Sequence, residues 1–212
     1  FGFQTAVEVA TEAIDRIRTT AESHSRTMLI EIMGNKAGWL TLHAGIAAGA
    51  DMILIPEIPF SVDAVCEFVS QQRRKGKNST IIAVAEGALL ADEAKFKKSE
   101  RVFVRTERGE TTVTAHLAEV LQQRTGYETR SSVLGYLQRG GTPCAYDRVL
   151  STRLGSFAAN LACGGKFGVT AAVSGSRITF NALTDVAGKY KLVPPAGEIV
   201  AAAKSIGIHF GI

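Results

Sequence analysis

Between Ser131 and Pro143 the chain reads Ser-Ser-Val-Leu-Gly-Tyr-Leu-Gln-Arg-Gly-Gly-Thr-Pro. A short Ser-Ser-Val-Leu strand, a glycine, a tyrosine and an arginine lead to a Gly-Gly turn, and a proline follows as a helix opener. Tyr136 offers a hydroxyl and Arg139 a planar fork that is always charged. Gly140 and Gly141 let backbone N–H groups approach an anion. This is the chemistry of a phosphate seat. Two more groupings could share the ligand: Glu86-Gly87, whose carboxylate suits sugar hydroxyls, and Met33-Gly34-Asn35. Charge-assisted bonds are worth roughly 1.5–3 kcal/mol each, so two or three of them can hold a sugar phosphate at micromolar levels. A phosphoryl donor site is not legible. There is no G-x-x-x-x-G-K-[ST] loop and no paired-aspartate segment at a strand end.

The elements that must position these residues follow from periodicity. Phe3, Ala6, Val7, Ala10, Ala13, Ile14 and Ile17 recur at helical spacing and predict an amphipathic helix ending near Ser23. Short apolar runs at 27–33, 52–55 and 80–85 predict buried strands, alternating with helices over 37–48 and over 61–74, the latter with Ser61 as N-cap. A helix over 112–124, a fourth strand over 128–134 and a long helix over 146–162 continue the series. Strands at 169–173 and 177–180 flank a tight turn at Ser174-Gly175, and a last helix covers 196–205. Alternation of this kind, with strands apolar throughout, predicts an α/β fold with a mainly parallel sheet covered on both faces. Residues 89–110, rich in Lys, Arg and Glu, break the rhythm and read as an exposed, mobile insertion with a short hairpin near 102–108.

In parallel α/β sheets, ligands sit beyond the carboxyl ends of the strands. Those ends fall at Met33-Gly34-Asn35, Pro56-Glu57, Glu86-Gly87 and Gly135-Tyr136, followed by Arg139. Plainer roles stand beside these. Glu86 can be an exposed strand end, Glu57 a carboxylate at a helix approach, and Arg139 a partner of Asp147. Arg26 and Arg130 flank strands and can be solvated charges. His43, in an Ala-rich helix, reads as a packed histidine and Trp39 as core or cleft lining.

Bulk composition narrows the class. The 212 residues are 46% hydrophobic and 21% charged, with a formal charge of +4. That is a folded chain with ample core, and the scattered basic surplus argues against a nucleic-acid partner. Cys66, Cys144 and Cys163 form no C-x-x-C pair, which argues against zinc and disulfides and for a reducing, cytoplasmic setting. No apolar run reaches membrane-spanning length. The start at Phe1, directly in a helical pattern, is expected of a fragment or a processed chain.

The residues resemble the 6-phosphofructokinases. Gly2-Phe3-Gln4-Thr5-Ala6-Val7, Ala13-Ile14-Asp15-Arg16 and Ser23-His24-Ser25-Arg26 are similar to the stretch that follows that family's catalytic aspartates. Glu31-Ile32-Met33-Gly34-Asn35 resembles its sugar-binding Glu-Val-Met-Gly-Arg, and Gly49-Ala50-Asp51 through Pro56-Glu57 also matches. Val133 to Pro143, with Tyr146-Asp147-Arg148 and Thr152-Arg153-Leu154-Gly155, is similar to its most recognisable motif. The resemblance implies a three-layer phosphofructokinase-like fold without the N-terminal donor-binding half. Residues 1–138 would form the fructose 6-phosphate-binding domain, 139–185 a segment returning to the donor-binding domain, and 186–212 a C-terminal segment. Met33, Gly34 and Glu86 would lie along the sugar, and Tyr136 and Arg139 would hold the 6-phosphate.

The same resemblance implies that Arg26 and Arg130 reach a neighbouring subunit's phosphate, making the site depend on a homo-oligomer (dimer or tetramer). The donor, ATP or pyrophosphate, with Mg²⁺ and the catalytic aspartates, would belong to sequence outside this chain, which alone would not turn over. Two residues depart from the family pattern. Asn35 stands in place of an arginine that steadies the transferred phosphoryl group, and Tyr136 in place of the histidine of many ATP-using members. A non-catalytic sugar-phosphate-binding or regulatory subunit is the rival reading.

Overall fold

The structure is a computed structural model and describes residues 2–96, 100 and 112–212. Helix α1 (Phe3–Ser23) forms where apolar residues recur three and four apart, and Ala6, Ala10, Ile14 and Ala21 of that stripe are buried. Strand β1 (Thr27–Ile32), helix α2 (Trp39–Ala47), strand β2 (Met52–Leu54), helix α3 (Val62–Arg74) and strand β3 (Thr80–Ala85) continue the alternation. Helix α4 (Val113–Thr125) leads to strand β4 (Thr129–Val133) and a 3-10 turn over Gly135–Arg139. A long helix α5 (Ala145–Cys163), an antiparallel hairpin of β5 (Val169–Ser174) and β6 (Arg177–Ala182), and the short helices α6 (Leu183–Val186) and α7 (Glu198–Ser205) complete the chain.

Strands β1 to β4 form one parallel sheet in the order β2-β3-β1-β4. Helices α1 and α2 pack together and on β1 and β3, while α3 packs on α4, which lies against β1 and β4. With both faces covered, all of β3 is buried. This is the three-layer α/β arrangement expected. Beyond β2, the C-terminal segment adds to the sheet edge: Ile53 N–H donates to His209 O at 2.9 Å and His209 N–H to Asp51 O at 3.0 Å.

Four expectations need correction. Strand β4 is polar, not apolar, because among the described residues it is the edge strand, with β1 on one side. Residues 89–96 are anchored to the core rather than a free insertion, although Ala91, Asp92 and 94–96 are exposed as expected. Leu90 and Glu93 are buried, and Phe60 exchanges backbone bonds of 2.9 and 2.8 Å with Leu89 and Ala91; the expected hairpin near 102–108 lies outside the described residues. Ser61 occupies the N-cap of α3 but its hydroxyl caps nothing. Pro143 precedes the α5 N-cap, Cys144, rather than opening the helix.

Helix α5 is fixed at its base by one side chain. Asp147, the sole buried residue of that helix, accepts the Thr5 N–H at 2.7 Å and the Thr5 hydroxyl at 2.6 Å, and Cys144 N–H donates back to Thr5 Oγ1 at 3.0 Å. One carboxylate thus sits between the N-termini of α1 and α5, where both helix dipoles favour it. Gly2 is required beside it, since a Cβ there would lie 2.0 Å from Asp147 Cγ. Burial pushes the Asp147 carboxyl up, but the Thr5 hydroxyl and amide, with Cys144 Sγ and the Gln4 amide, outweigh it and hold the group below the usual carboxylate value. A lowered native pKa stabilises in full above the ordinary value of about 3.9 and is lost as pH falls through the native one. Asp147→Asn should therefore lower thermal stability at neutral pH by on the order of 2 kcal/mol. The gap from the parent chain should close as melts are repeated below about pH 4.

Candidate functional site

The carboxyl ends of β1, β3 and β4 meet at a cleft of about 170 Å³, lined by Glu31, Met33, Glu86, Val133, Gly135, Tyr136 and Arg139. Strand β1 stands between the other two, so the residues that follow it face both neighbours. The expected site residues Met33, Glu86, Tyr136 and Arg139 are brought together here.

The loop after β1 is held from β3. Glu86 Oε1 accepts the N–H of Gly34 at 3.0 Å and of Asn35 at 2.6 Å. Asn35 is in the left-handed region at φ 55°, a conformation Asn tolerates better than most residues. Behind it, a Cβ on Gly87 would sit 2.1 Å from Asn35 O, so only glycine lets the two loops touch. Glu86 is therefore not a bare strand end: one oxygen fixes the loop after β1, and the carboxylate still lines the cleft.

The loop after β4 is held by Gln138, which is fully buried in the 3-10 turn. Its Oε1 accepts the Met33 N–H at 3.2 Å and its Nε2 donates to Gly135 O at 3.3 Å. Those two bonds tie the β1 and β4 ends together and set the turn that presents Tyr136 and Arg139. Tyr136 is 83% exposed, and the Arg139 guanidinium lies 5.9 Å from its ring centroid. Arg139 does not pair with Asp147, whose carboxylate is taken by Thr5.

Arg26 and Arg130 are elsewhere. Arg26 immediately precedes β1 and Arg130 is the second residue of β4, so both lie toward the amino end of the sheet, about 16 Å and about 10 Å along their strands from the cleft-lining Glu31 and Val133 at ~3.3 Å per residue. Neither is a plain solvated charge. Both reach Glu128 Oε1, at 2.8 Å from Arg26 and 2.9 Å from Arg130. The Arg26 hydrogen bond, aided by both positive charges and against some burial, holds the Glu128 carboxyl below its usual value. Sequence reasoning missed Glu128, although it stands two residues before Arg130 and so on the same side of an extended chain. Gln138 was also missed; nothing in its neighbours' pattern signals burial.

The plainer readings hold at other positions. Glu57 accepts the N–H of Gly38 at 3.0 Å and of Val193 at 2.9 Å, capping α2 rather than entering the cleft. His43 is packed between Phe3 and Trp39, and burial lowers its pKa. Trp39 anchors the C-terminal segment through a 2.8 Å bond from Nε1 to Lys191 O. Among the described residues no group of three His, Cys, Asp or Glu could hold a metal ion. No helix among them is long and apolar enough to cross a membrane.

Gly87→Ala should lower the midpoint of chemical denaturation, since neither backbone oxygen nor loop can yield cheaply; overpacking of this kind costs about 1–3 kcal/mol. Gly155→Ala is the matched control. A Cβ there meets nothing within 4 Å inside a helix, so it should raise the midpoint, by up to about 1 kcal/mol.

Comparison with known proteins identifies a family. The family profile described as Phosphofructokinase matches residues 1–162. An ATP-dependent 6-phosphofructokinase of Spirochaeta thermophila is 46% identical over 211 residues, covering 100% of this chain and 58% of that protein. A pyrophosphate–fructose 6-phosphate 1-phosphotransferase of Amycolatopsis methanolica is 48% identical over 197 residues, covering 92% of this chain and 57% of that protein. The solved phosphofructokinase of Saccharomyces cerevisiae superposes with a TM-score of 0.70 at 38% identity, covering 85% of this chain and 22% of its own. The chain thus spans less than two thirds of the curated relatives it matches. Profile, relatives and fold agree, and the chain belongs to the phosphofructokinase family.

Proposed function

We propose that the cleft is the acceptor site of a 6-phosphofructokinase and holds fructose 6-phosphate for transfer of a phosphoryl group to its 1-hydroxyl, giving fructose 1,6-bisphosphate. The observation that carries this is the placement of Glu86 and Arg139 on one small cleft with Met33 and Tyr136. A carboxylate for hydroxyls and a guanidinium for phosphate then face a single ligand. Met33 and Gly34 run along the sugar, and Tyr136 and Arg139 take the 6-phosphate. Residues 1–138 act as the acceptor domain, 139–185 return toward the donor-binding part, and 186–212 brace the loop after β1.

Names among the relatives support both ATP and pyrophosphate as donor. In this reading the donor pocket, Mg²⁺ and the proton-taking aspartate lie in the part of the relatives' length that this chain does not cover. Phosphoryl transfer rests on positioning and electrostatics, so this chain alone supplies the acceptor seat and not the catalyst. Arg26 and Arg130, held at the far end of the sheet, serve a neighbouring subunit's phosphate in a homo-oligomer, and the protein works in the cytoplasm. Asn35 favours one second reading, a non-catalytic sugar-phosphate-binding subunit: in the loop that Glu86 holds, it brings an amide and no charge where transition-state charge would need support.

Calorimetric titration of residues 1–212 should give a heat of binding with fructose 6-phosphate. Arg139→Met should weaken that binding about tenfold, as expected for one charge-assisted bond. A coupled assay with Mg²⁺ and either ATP or pyrophosphate should show no turnover. Absence of binding would contradict the acceptor site, and turnover by this chain alone would contradict the division of labour.

A further inference from the structure

Within the cleft, one carboxylate has no role so far. Glu31 is the fifth residue of β1, with Val84 and Val133 as its neighbours in register on either side. It is 8% exposed, and its Oε2 is buried without a hydrogen-bond partner among the described residues. A carboxylate oxygen in such surroundings is costly: Oε2 loses water and gains no donor in exchange. An apolar side chain would sit better between two valines. The carboxylate nevertheless lines the same cleft as Glu86, Tyr136 and Arg139, so the donor it lacks can come from a ligand in that cleft.

We propose that Glu31 is a second hydroxyl-accepting carboxylate of the acceptor site, working beside Glu86, and that the pair sets which way round a sugar phosphate enters. This rests on the cleft being the sugar-phosphate seat. Two carboxylates accept hydroxyl protons and repel a phosphate dianion. At the other side, Tyr136 and Arg139 attract the dianion. A polyhydroxy phosphate then has one favourable orientation. An unphosphorylated sugar lacks the anchor at Arg139, and inorganic phosphate gains nothing from Glu31. Glu31 is thereby a specificity residue whose energetic cost in the empty cleft is offset only when hydroxyls arrive.

The test titrates residues 1–212, and the Glu31→Met and Glu31→Gln variants, with fructose 6-phosphate and separately with inorganic phosphate, with thermal melts of each. Glu31→Met should bind fructose 6-phosphate about tenfold more weakly, bind inorganic phosphate as well as or better than the parent chain, and melt at the same or a higher temperature. Glu31→Gln keeps an acceptor oxygen and should fall between the two in sugar-phosphate affinity, which preserves the test if Met perturbs folding. Sugar-phosphate affinity unchanged in both variants would overturn the proposal while leaving the acceptor site standing. Lower melting with equal losses for both ligands would assign Glu31 a structural role and also overturn it. If the parent chain binds inorganic phosphate but not fructose 6-phosphate, the acceptor-site reading itself fails, and this proposal with it.

Discussion

Everything at the cleft depends on the pair of hydrogen bonds from Gly34 and Asn35 to Glu86 Oε1. Parallel strands deliver their carboxyl ends to one side, but they do not by themselves fix the loops beyond those ends. The Glu86 carboxylate does so for the loop after β1, and the glycine next to it lets that loop pack directly on Asn35 O. Gln138 performs the matching task for the turn after β4, bonding both Met33 and Gly135. The site is therefore preformed by polar side chains that bind backbone first. This rigid first layer is what binding needs if its ordering cost is to stay small.

A second constraint joins this layer to the arm built from α5 and the β5–β6 hairpin. Two helix N-termini share the Asp147 carboxylate, so the direction of α5 relative to α1 is set by Thr5, Cys144 and Gly2. The Arg139-Gly140-Gly141 turn lies between β4 and that anchor, and its geometry is fixed from both sides. Apart from Asp147, α5 is not buried, and Tyr146 and Val149 are well exposed apolar residues on it. In the proposed assignment this is the surface that meets the donor-binding part of the protein.

The parallel sheet was legible because three of its strands are short apolar runs that admit no other placement, and α1 because its stripe of small and branched residues keeps a strict helical spacing. Strand β4 was found despite its polarity only through its position between a helix and a Gly-rich turn; as an edge strand it lacks the burial that makes the others readable. Glu86, Tyr136 and Arg139 could be nominated from residue type at strand ends. The reasons they stay in place could not. Gln138 acts on Met33, 105 residues away, and Glu128 on Arg26 and Arg130, 102 and two residues away, while the Glu31 carboxylate is marked only by the partner its Oε2 lacks; no periodicity encodes such relations.

The central claim is that one cleft binds the hydroxyls of a sugar at Glu86 and its phosphate at Tyr136 and Arg139. A crystal structure of the chain grown with fructose 6-phosphate tests this most directly. The account predicts the phosphate within hydrogen-bond distance of Arg139 and the Tyr136 hydroxyl, with sugar hydroxyls at Glu86. A ligand bound elsewhere, or bound in this cleft with its phosphate against the carboxylates, would contradict it.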